Sequence, residues 1–247
     1  ASFGIFLNPE IGFTPQGARD LDEVIREGVP SVDSSGVLPE LWEDVEATKA
    51  LTPEWVTIHL PDMQGPFNIA HMVLGDEAFI APIHEPDKWA AFMDIATEFF
   101  IGLHRAFVDR IGAERLDAFP QNLHRIAECS VNMVPRDFYL EHILPYDRRI
   151  ADYYGEVAIH PCSGPHVFHA TLEQLPNVVY IEAGRMIKPM TAGSIGADEA
   201  VRAIGERPII LQIGEELADG EEESTIRQRF DLAADNPRMR FGFTGLG

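Results

Sequence analysis

A chain of 247 residues, 45% of them hydrophobic, is long enough to bury one sizeable core. Its 40 acidic and 19 basic residues leave a formal net charge of -21, which argues against nucleic acid or an anionic membrane surface as a partner. No apolar run reaches the roughly 20 residues that cross a bilayer, and the two cysteines, Cys129 and Cys162, favour a reducing cytoplasm over a disulfide framework.

The first 55 residues show little regular patterning. The stretch PSVDSSGVLPELWED, which starts at Pro30, is typical of a long loop with an embedded helix. The chain opens on ASFGIFLNPE, where no basic stretch leads into an apolar one, and it lacks an initiator Met. We therefore expect no signal peptide, and a domain whose amino-terminal part is missing or shortened.

Short apolar runs alternate with helical patterns from Val56 onward, which is typical of parallel βαβ units. Strands are predicted to begin near Val56, Leu116, Arg125, Val157, Val178, Ile209 and Arg240. Helices are predicted from Pro86, from Pro135 to Gly155, from about His166 to Leu175, from Ala197 to Gly205 and from Glu221. There is no internal repeat and no linker, so we expect one domain over residues 1–247.

Polar residues capable of chemistry stand at the ends of the predicted strands. In a parallel barrel the carboxyl ends of the strands face the active site. This rule selects seven candidates, which are Asp62, Gln64, Glu128, Cys129, His160, Cys162 and Glu182. No P-loop, GxGxxG or GxSxG motif is present, so the sequence offers no support for an NTPase, a dinucleotide-binding enzyme or a serine hydrolase.

His160 and Cys162 at the end of VAIH are the candidates with metal-ligand spacing. One imidazole and one thiolate can converge there on a single ion, as zinc prefers. Glu182 on the next strand could add a carboxylate and leave one position open for a substrate. The alternative is a chance pairing, because a buried Cys usually acts as a small hydrophobic side chain. Spacing alone leaves both interpretations open.

Three stretches of the chain carry a family resemblance: IHLPDMQGPFNIAHMVLGDEAFIAPIHEPDKWAAFMD, NMVPRDFYLEHILPYDRRIADYYG and VAIHPCSG. The first is similar to the strand–loop segment with Gly-Pro-Phe, and the second to one of the helices, of the uroporphyrinogen decarboxylase and corrinoid methyltransferase superfamily. The third resembles the His-x-Cys-Gly element of its methyltransferase-like branch. The resemblance extends from about Thr52 to Gly247 and implies a (β/α)8 TIM barrel whose usual amino-terminal third is absent or shortened.

Two chemistries are implied by this resemblance. The corrinoid methyltransferases use zinc held by His-x-Cys, a distal Cys and often a Glu. His160 and Cys162 match the zinc pair and Glu182 in IEAGR matches the carboxylate, whereas TGL stands where the distal Cys is expected. The uroporphyrinogen decarboxylases need no cofactor and bind their substrate through an Arg-rich motif and an Asp. Glu128 and Cys129 match a Glu-Ser at the substrate cleft of the decarboxylases, but the Arg-rich motif is missing.

The leading hypothesis is a cytoplasmic, zinc-assisted methyltransferase that acts between a corrinoid or methylated small molecule and a thiol. A corrinoid protein is a candidate partner, and a homodimer is a candidate assembly. Asp62, Gln64, Glu128 and Cys129 are the catalytic candidates, and His160, Cys162 and Glu182 the metal ligands. Two alternatives remain, a cofactor-independent decarboxylase of uroporphyrinogen or a related acid, and a non-catalytic barrel that binds a ligand.

Overall fold

A computed structural model describes residues 4–6, 18–61, 63–116, 124–161, 165–182, 197–207, 209–216, 227, 231, 234 and 239–244. The strands in these ranges are β1 (Gly4–Phe6), β2 (Thr57–His59), β3 (His124–Ala127), β4 (Val157–His160), β5 (Val178–Glu182), β6 (Ile210–Glu216) and β7 (Met239–Thr244). The helices are α1 (Leu21–Glu27), α2 (Leu38–Leu51), α3 (Pro66–Leu74), α4 (Glu77–His84), α5 (Pro86–Ile111), α6 (Arg136–His142), α7 (Leu144–Tyr154), α8 (Pro165–Gln174) and α9 (Ala197–Ile204). A 3-10 helix, Cys129–Met133, follows β3.

The strands of the described residues are parallel and form two sheets. β1 pairs with β2, and β3 to β7 form a five-stranded sheet in chain order. Two isolated parallel bridges, Ile58–Leu116 and Gln64–Ala127, connect the region around β2 with the residues before and within β3. Parallel neighbours need a crossover, and helices α6 to α9 supply it between β3 and β6. The parallel βαβ units predicted from the sequence are thus confirmed in this part of the chain.

The (β/α)8 TIM barrel expected from the resemblance is wrong. The described residues form sheets of two and five strands and not a ring of eight. Of the strand predicted near Leu116, the structure describes Leu116 itself, which forms a bridge to Ile58, and residues 117–123 lie outside the described residues. Alternating apolar and helical patterns predict local βαβ units, but closure of a sheet depends on strand tilt, stagger and pairing between distant parts of the chain. The periodicity of a local sequence pattern does not predict strand tilt, stagger or long-range pairing.

The helix predicted from Pro86 is confirmed as α5, which packs against α1, α2, α3, α4 and α7. Pro86 lies in its first turn, where a missing N–H costs nothing, and the helix ends before Gly112 at φ 89°. Phe92, Ala96 and Phe107 are buried at helical spacing. Although α5 has 26 residues, none of the described helices is long and apolar enough to cross a membrane.

The single helix predicted from Pro135 to Gly155 is two helices. α6 ends at His142 and α7 begins at Leu144, with Ile143 between them at φ -123° and ψ -52°. Pro145 lies in the first turn of α7. Since proline has no N–H and its ring clashes with the carbonyl four residues earlier, a continuous helix is broken at this point. The prediction overlooked this proline.

Arg115 holds the connection between α2 and β2. Its side chain is 7% exposed, and its guanidinium donates to the carbonyl of Lys49 at 3.1 Å, to Thr52 Oγ1 at 2.6 Å and to the carbonyl of Val56 at 3.2 Å. The carbonyl of Arg115 accepts from the N–H of Ile58 at 2.7 Å. One charged fork therefore satisfies acceptors that the end of α2 leaves unpaired, and it positions β2.

We expect Arg115→Lys to lower the free energy of unfolding by about 2–4 kcal/mol, because one ammonium cannot reach acceptors that a planar guanidinium spans. Urea unfolding followed by circular dichroism measures the change. Arg105→Lys on the exposed side of α5 is the matched control and should change stability by less than about 0.5 kcal/mol. Equal unfolding midpoints for the two variants would contradict the assigned role of Arg115.

Candidate functional site

Gln64, His160 and Glu182 occupy one row at the carboxyl edge of the five-stranded sheet. Gln64 pairs with Ala127, and Ala127 pairs with His160. Ile159 pairs with Ile181, so that His160 and Glu182 are the next residues on two neighbouring strands. Directly paired residues of adjacent strands lie on the same face of a sheet. The backbones of predicted residues from three separate segments are therefore brought to one edge of the sheet.

The row continues through Gln212 and Arg240, which the sequence interpretation missed. Glu182 pairs with Gln212 on β6, and Gln212 pairs with Arg240 on β7. We call this set the edge row; its members are Gln64, Ala127, His160, Glu182, Gln212 and Arg240. The rule that selected His160, a polar residue at the end of an apolar run, would also have found Gln212 in PIILQIG. Arg240 was predicted only as the start of a strand.

The row before the edge row is apolar on every strand of the larger sheet. Its members are Ile126, Ile159, Ile181, Leu211 and Met239. Successive residues of a strand face opposite sides, so Ile159 and His160 belong to different faces. The edge row lies at the carboxyl ends of β3, β4 and β5, the side on which ligands bind in parallel α/β sheets, whereas β6 and β7 continue past Gln212 and Arg240 to Glu216 and Thr244.

A bulge at the start of β5 precedes this alignment. Val157 pairs with Val178, but Ala158 pairs with Tyr180, so Val179 has no opposite residue on β4. From Ala158 onward the pairing is regular and reaches Ile159 and Ile181. A bulge inserts one residue on one strand and leaves the pairing beyond it intact. The extra residue is thus accommodated before the edge row begins.

The zinc site predicted at His160, Cys162 and Glu182 stays a prediction. His160 is partly exposed, whereas Val157 to Ile159 before it are buried. Cys162 lies outside the described residues, and of Glu182 the backbone is described. Among the side chains that the structure describes, no group of three or more His, Cys, Asp or Glu could hold a metal ion. That set lacks two of the three predicted ligands.

Glu128 directly follows Ala127 of the edge row, and only 1% of its surface is exposed. Its backbone N–H donates to the carbonyl of His160 at 3.0 Å, which extends the pairing of β3 and β4 by one residue. Its carboxylate accepts from the N–H groups of Phe67 at 3.0 Å and Asn68 at 3.1 Å. These donors belong to the first turn of α3, where helix N–H groups lack partners and the helix dipole is positive. Glu128, predicted as catalytic, therefore caps α3 across the edge of the sheet.

Gly65 provides the space for this cap. Its N–H donates to the carbonyl of Ala127 at 2.7 Å. A Cβ at this position would collide with Glu128 Oε1 and lie 2.6 Å from Glu128 Cδ and 3.0 Å from the carbonyl oxygen of Ala127. Neither oxygen can easily move aside, because Oε1 accepts from the N–H of Phe67 and the Ala127 oxygen belongs to the backbone. Only glycine allows the strand end, the carboxylate and the helix to approach this closely.

We expect Gly65→Ala to lower the free energy of unfolding by about 1–3 kcal/mol, the usual cost of forcing an added methyl into packed surroundings. Chemical unfolding measures it. Gly102→Ala within α5 is the matched control, because its Cβ would meet Val32 Cγ1 at an ordinary 3.5 Å. Since alanine favours helices, the control should gain about 0.5–1 kcal/mol. If the two variants are equally stable, the close approach at Gly65 is not a constraint.

A second buried carboxyl group, that of Asp147 on α7, stands behind Glu128. Tyr139 donates its hydroxyl hydrogen to Asp147 Oδ2 at 3.0 Å, and both residues are fully buried. Burial raises the pKa of Asp147 from 3.8 to about 7. Burial, and then repulsion by Asp147, raise the pKa of Glu128 well above 4.5, against the opposing effect of the two α3 N–H groups. Because two negative charges would face each other in the interior, we expect the pair to retain at least one proton at neutral pH.

Protein stability is expected to fall as the pH rises from about 4 through 7. A carboxyl group with a raised pKa in the folded state binds its proton more tightly there, so its contribution is complete below pH 3.8 and is lost as the pH passes about 7. The slope approaches about 1.4 kcal/mol per pH unit for one proton. Asp147→Asn should make the decline shallower in urea unfolding across this range. Asp152→Asn on the exposed side of α7 is the control, and identical profiles for both variants would contradict the prediction.

A chain of hydrogen bonds joins Gln64 to the segment after β3. The N–H of Ser130 donates to Asn68 Oδ1 at 2.7 Å, and Asn68 Nδ2 donates to Gln64 Oε1 at 2.6 Å. Ser130 Oγ lies 2.9 Å from Nδ1 of His71. α3 and the 3-10 helix therefore share a polar contact next to the edge row.

Cys129 and Asp62 complete the set of catalytic candidates. Cys129 begins the 3-10 helix and is partly exposed. Asp62, which was predicted together with Gln64, lies outside the described residues. The catalytic roles of both residues stay predictions.

Comparison with known proteins adds no relative from which a role could be transferred. No protein-family model and no curated protein matches this chain. The likeness to the uroporphyrinogen decarboxylase and corrinoid methyltransferase superfamily therefore remains a resemblance of the quoted stretches. The proposed function therefore rests on the strand register and the hydrogen bonds at the edge row.

Proposed function

We propose that this chain is an enzyme of the uroporphyrinogen decarboxylase and corrinoid methyltransferase superfamily that holds zinc with His160, Cys162 and Glu182. Its reaction would move a methyl group from a corrinoid or a methylated small molecule to a thiol. The observation that carries the proposal is the register of β4 and β5, in which Ile159 pairs with Ile181 and the next residues are His160 and Glu182. Cys162 follows His160 by two positions.

The types and spacing of these residues fit zinc. Neighbouring strands lie about 4.8 Å apart, and zinc bonds to nitrogen, oxygen and sulfur are about 2.0–2.3 Å long, so side chains of these lengths at one level can share an ion. Three protein ligands leave a fourth position open, as in catalytic zinc sites.

Zinc, when bound, lowers the pKa of a coordinated thiol so that the nucleophilic thiolate is present at neutral pH. In the proposed reaction the thiol gives its proton to solvent. Its sulfur forms a bond to the methyl carbon while the bond between that carbon and the donor breaks, and the bonding electrons remain with the donor. His160, Cys162 and Glu182 contribute by fixing where the sulfur stands relative to the methyl carbon.

The proposed setting is a reducing cytoplasm, in which Cys129 and Cys162 remain thiols. We expect the methyl donor to arrive as a free corrinoid or on a corrinoid protein. With a net charge of -21, nucleic acids and anionic membranes are unsuitable partners.

We expect purified protein to retain about one zinc per chain after dialysis, and Cys162→Ser to abolish retention, because zinc prefers a thiolate to a hydroxyl. Glu182→Gln should weaken retention less, since a carboxamide oxygen can still coordinate. Atomic absorption measures zinc content. Cys129→Ser, the other cysteine of the chain, is the matched control for zinc content and should match the wild type.

Methyl transfer from methylcobalamin to mercaptoethanol in the same variants tests the activity. Equal zinc content and equal turnover in Cys162→Ser and the wild type would refute the metal site. Zinc-free protein that releases carbon dioxide from uroporphyrinogen would support the decarboxylase alternative instead.

A further inference from the structure

The orientation of the Gln64 side-chain amide is determined by the backbone of another segment. The N–H of Ser130 can only donate, so the Asn68 atom that it meets at 2.7 Å must be the oxygen, Oδ1. The remaining Asn68 atom is therefore Nδ2, a donor, and its partner on Gln64 at 2.6 Å must be Oε1. This leaves the Nε2 group, with its N–H donors, as the part of Gln64 that faces away from Asn68.

Asn68 can impose this orientation because it is itself immobile. It is 4% exposed, its backbone N–H donates to Glu128 Oε2 at 3.1 Å, and both ends of its side chain are hydrogen-bonded. Reversing the Gln64 amide would set two N–H donors against each other and leave a buried donor of Asn68 unpaired. The alternative orientation is thus strongly disfavoured.

Gln64 also occupies the edge row, on the same face as His160. Ala127 lies between them, so their backbones are two strand spacings, or about 10 Å, apart. Gln64 is partly exposed, and among the described residues its Nε2 has no hydrogen-bond partner. An oriented donor beside a small side chain at this edge is suited to hold part of a ligand.

We infer that Gln64 is a substrate-binding residue whose Nε2 donates a hydrogen bond to an acceptor oxygen of the methyl-accepting substrate, with Asn68 and Ser130 as positioning residues. The inference rests on the proposed function in taking the edge row as the active site. Its consequence is a preference for ligands that carry a carboxylate or carbonyl oxygen a few bonds from the reacting atom. A ligand with an ammonium group at that place is disfavoured, because two donors would meet.

Three thiols of similar length test the preference: mercaptopropionate with an acceptor, propanethiol with neither group, and cysteamine with a donor. Each is titrated into zinc-loaded and zinc-free protein and followed by calorimetry and by the Gln64 side-chain amide resonance in nitrogen-15 NMR. The resonance is identified by its loss in Gln64→Met. Mercaptopropionate should shift it and bind about tenfold more tightly than propanethiol, as a hydrogen bond of about 1.4 kcal/mol provides.

Variants of Gln64 separate donation from a general structural role. Gln64→Met keeps the side-chain length and should reduce the tenfold ratio between the affinities for mercaptopropionate and propanethiol to about one. Gln64→Glu should reverse the order and favour cysteamine, because the donor becomes an anionic acceptor. Gln174→Met, an exposed glutamine at the end of α8, is the matched control and should keep the wild-type order. If Gln64 had only a structural role, its substitution would weaken the binding of all three thiols equally.

The metal proposal and the Gln64 inference can fail separately. If zinc is not retained but mercaptopropionate, and not propanethiol, shifts the Gln64 resonance, the donor role is supported and the metal site is refuted. Equal affinities for these two thiols with an unshifted Gln64 resonance would overturn the donor role, whether or not zinc is bound.

Discussion

The carboxylate of Glu128 at the start of α3 is the interaction on which the arrangement of the edge row depends. It joins a helix that follows β2 to a strand that lies more than fifty residues later in the chain, and it accepts backbone N–H groups of Phe67 and Asn68. Gly65 permits the contact, and the buried pair of Asp147 and Tyr139 lies next to Glu128. A carboxyl group buried this completely is costly unless its oxygens are engaged, so the cap also resists displacement.

The hydrogen bonds around the edge row depend on this cap. Asn68 on α3 donates its backbone N–H to Glu128. Its side chain also orients Gln64 and accepts from the N–H of Ser130. On the other side, the Glu128 N–H binds the carbonyl of His160. Glu128 thus connects the oriented donor, Gln64 just before α3, with the strand that carries His160. Its rigid contacts help to fix the positions of both side chains.

The sequence predicts the local elements better than their assembly. The apolar periodicity behind Phe92, Ala96 and Phe107 indicates α5 correctly, and VAIH indicates β4, because both signals are local. Barrel closure was predicted wrongly, since it is a property of pairing between distant strands. Glu128 was selected as polar at a strand end, but its burial under α3 depends on a contact across sixty residues, which no local pattern carries. Gln212 and Arg240 join the edge row through register, which strand prediction alone cannot supply.

The bulge at Val179 bears on how such a chain can change in length over evolution. Because the unpaired residue lies at the amino end of β5, the pairing of Ile159 with Ile181 does not depend on how many residues enter the sheet before it. A deletion or insertion of one residue there can be absorbed without altering which residue stands beside His160. The same change between Ile159 and His160 would turn every later side chain of that segment to the opposite face. The number of residues on the amino side of β5 can therefore change, whereas the number at the carboxyl ends of β4 and β5 cannot.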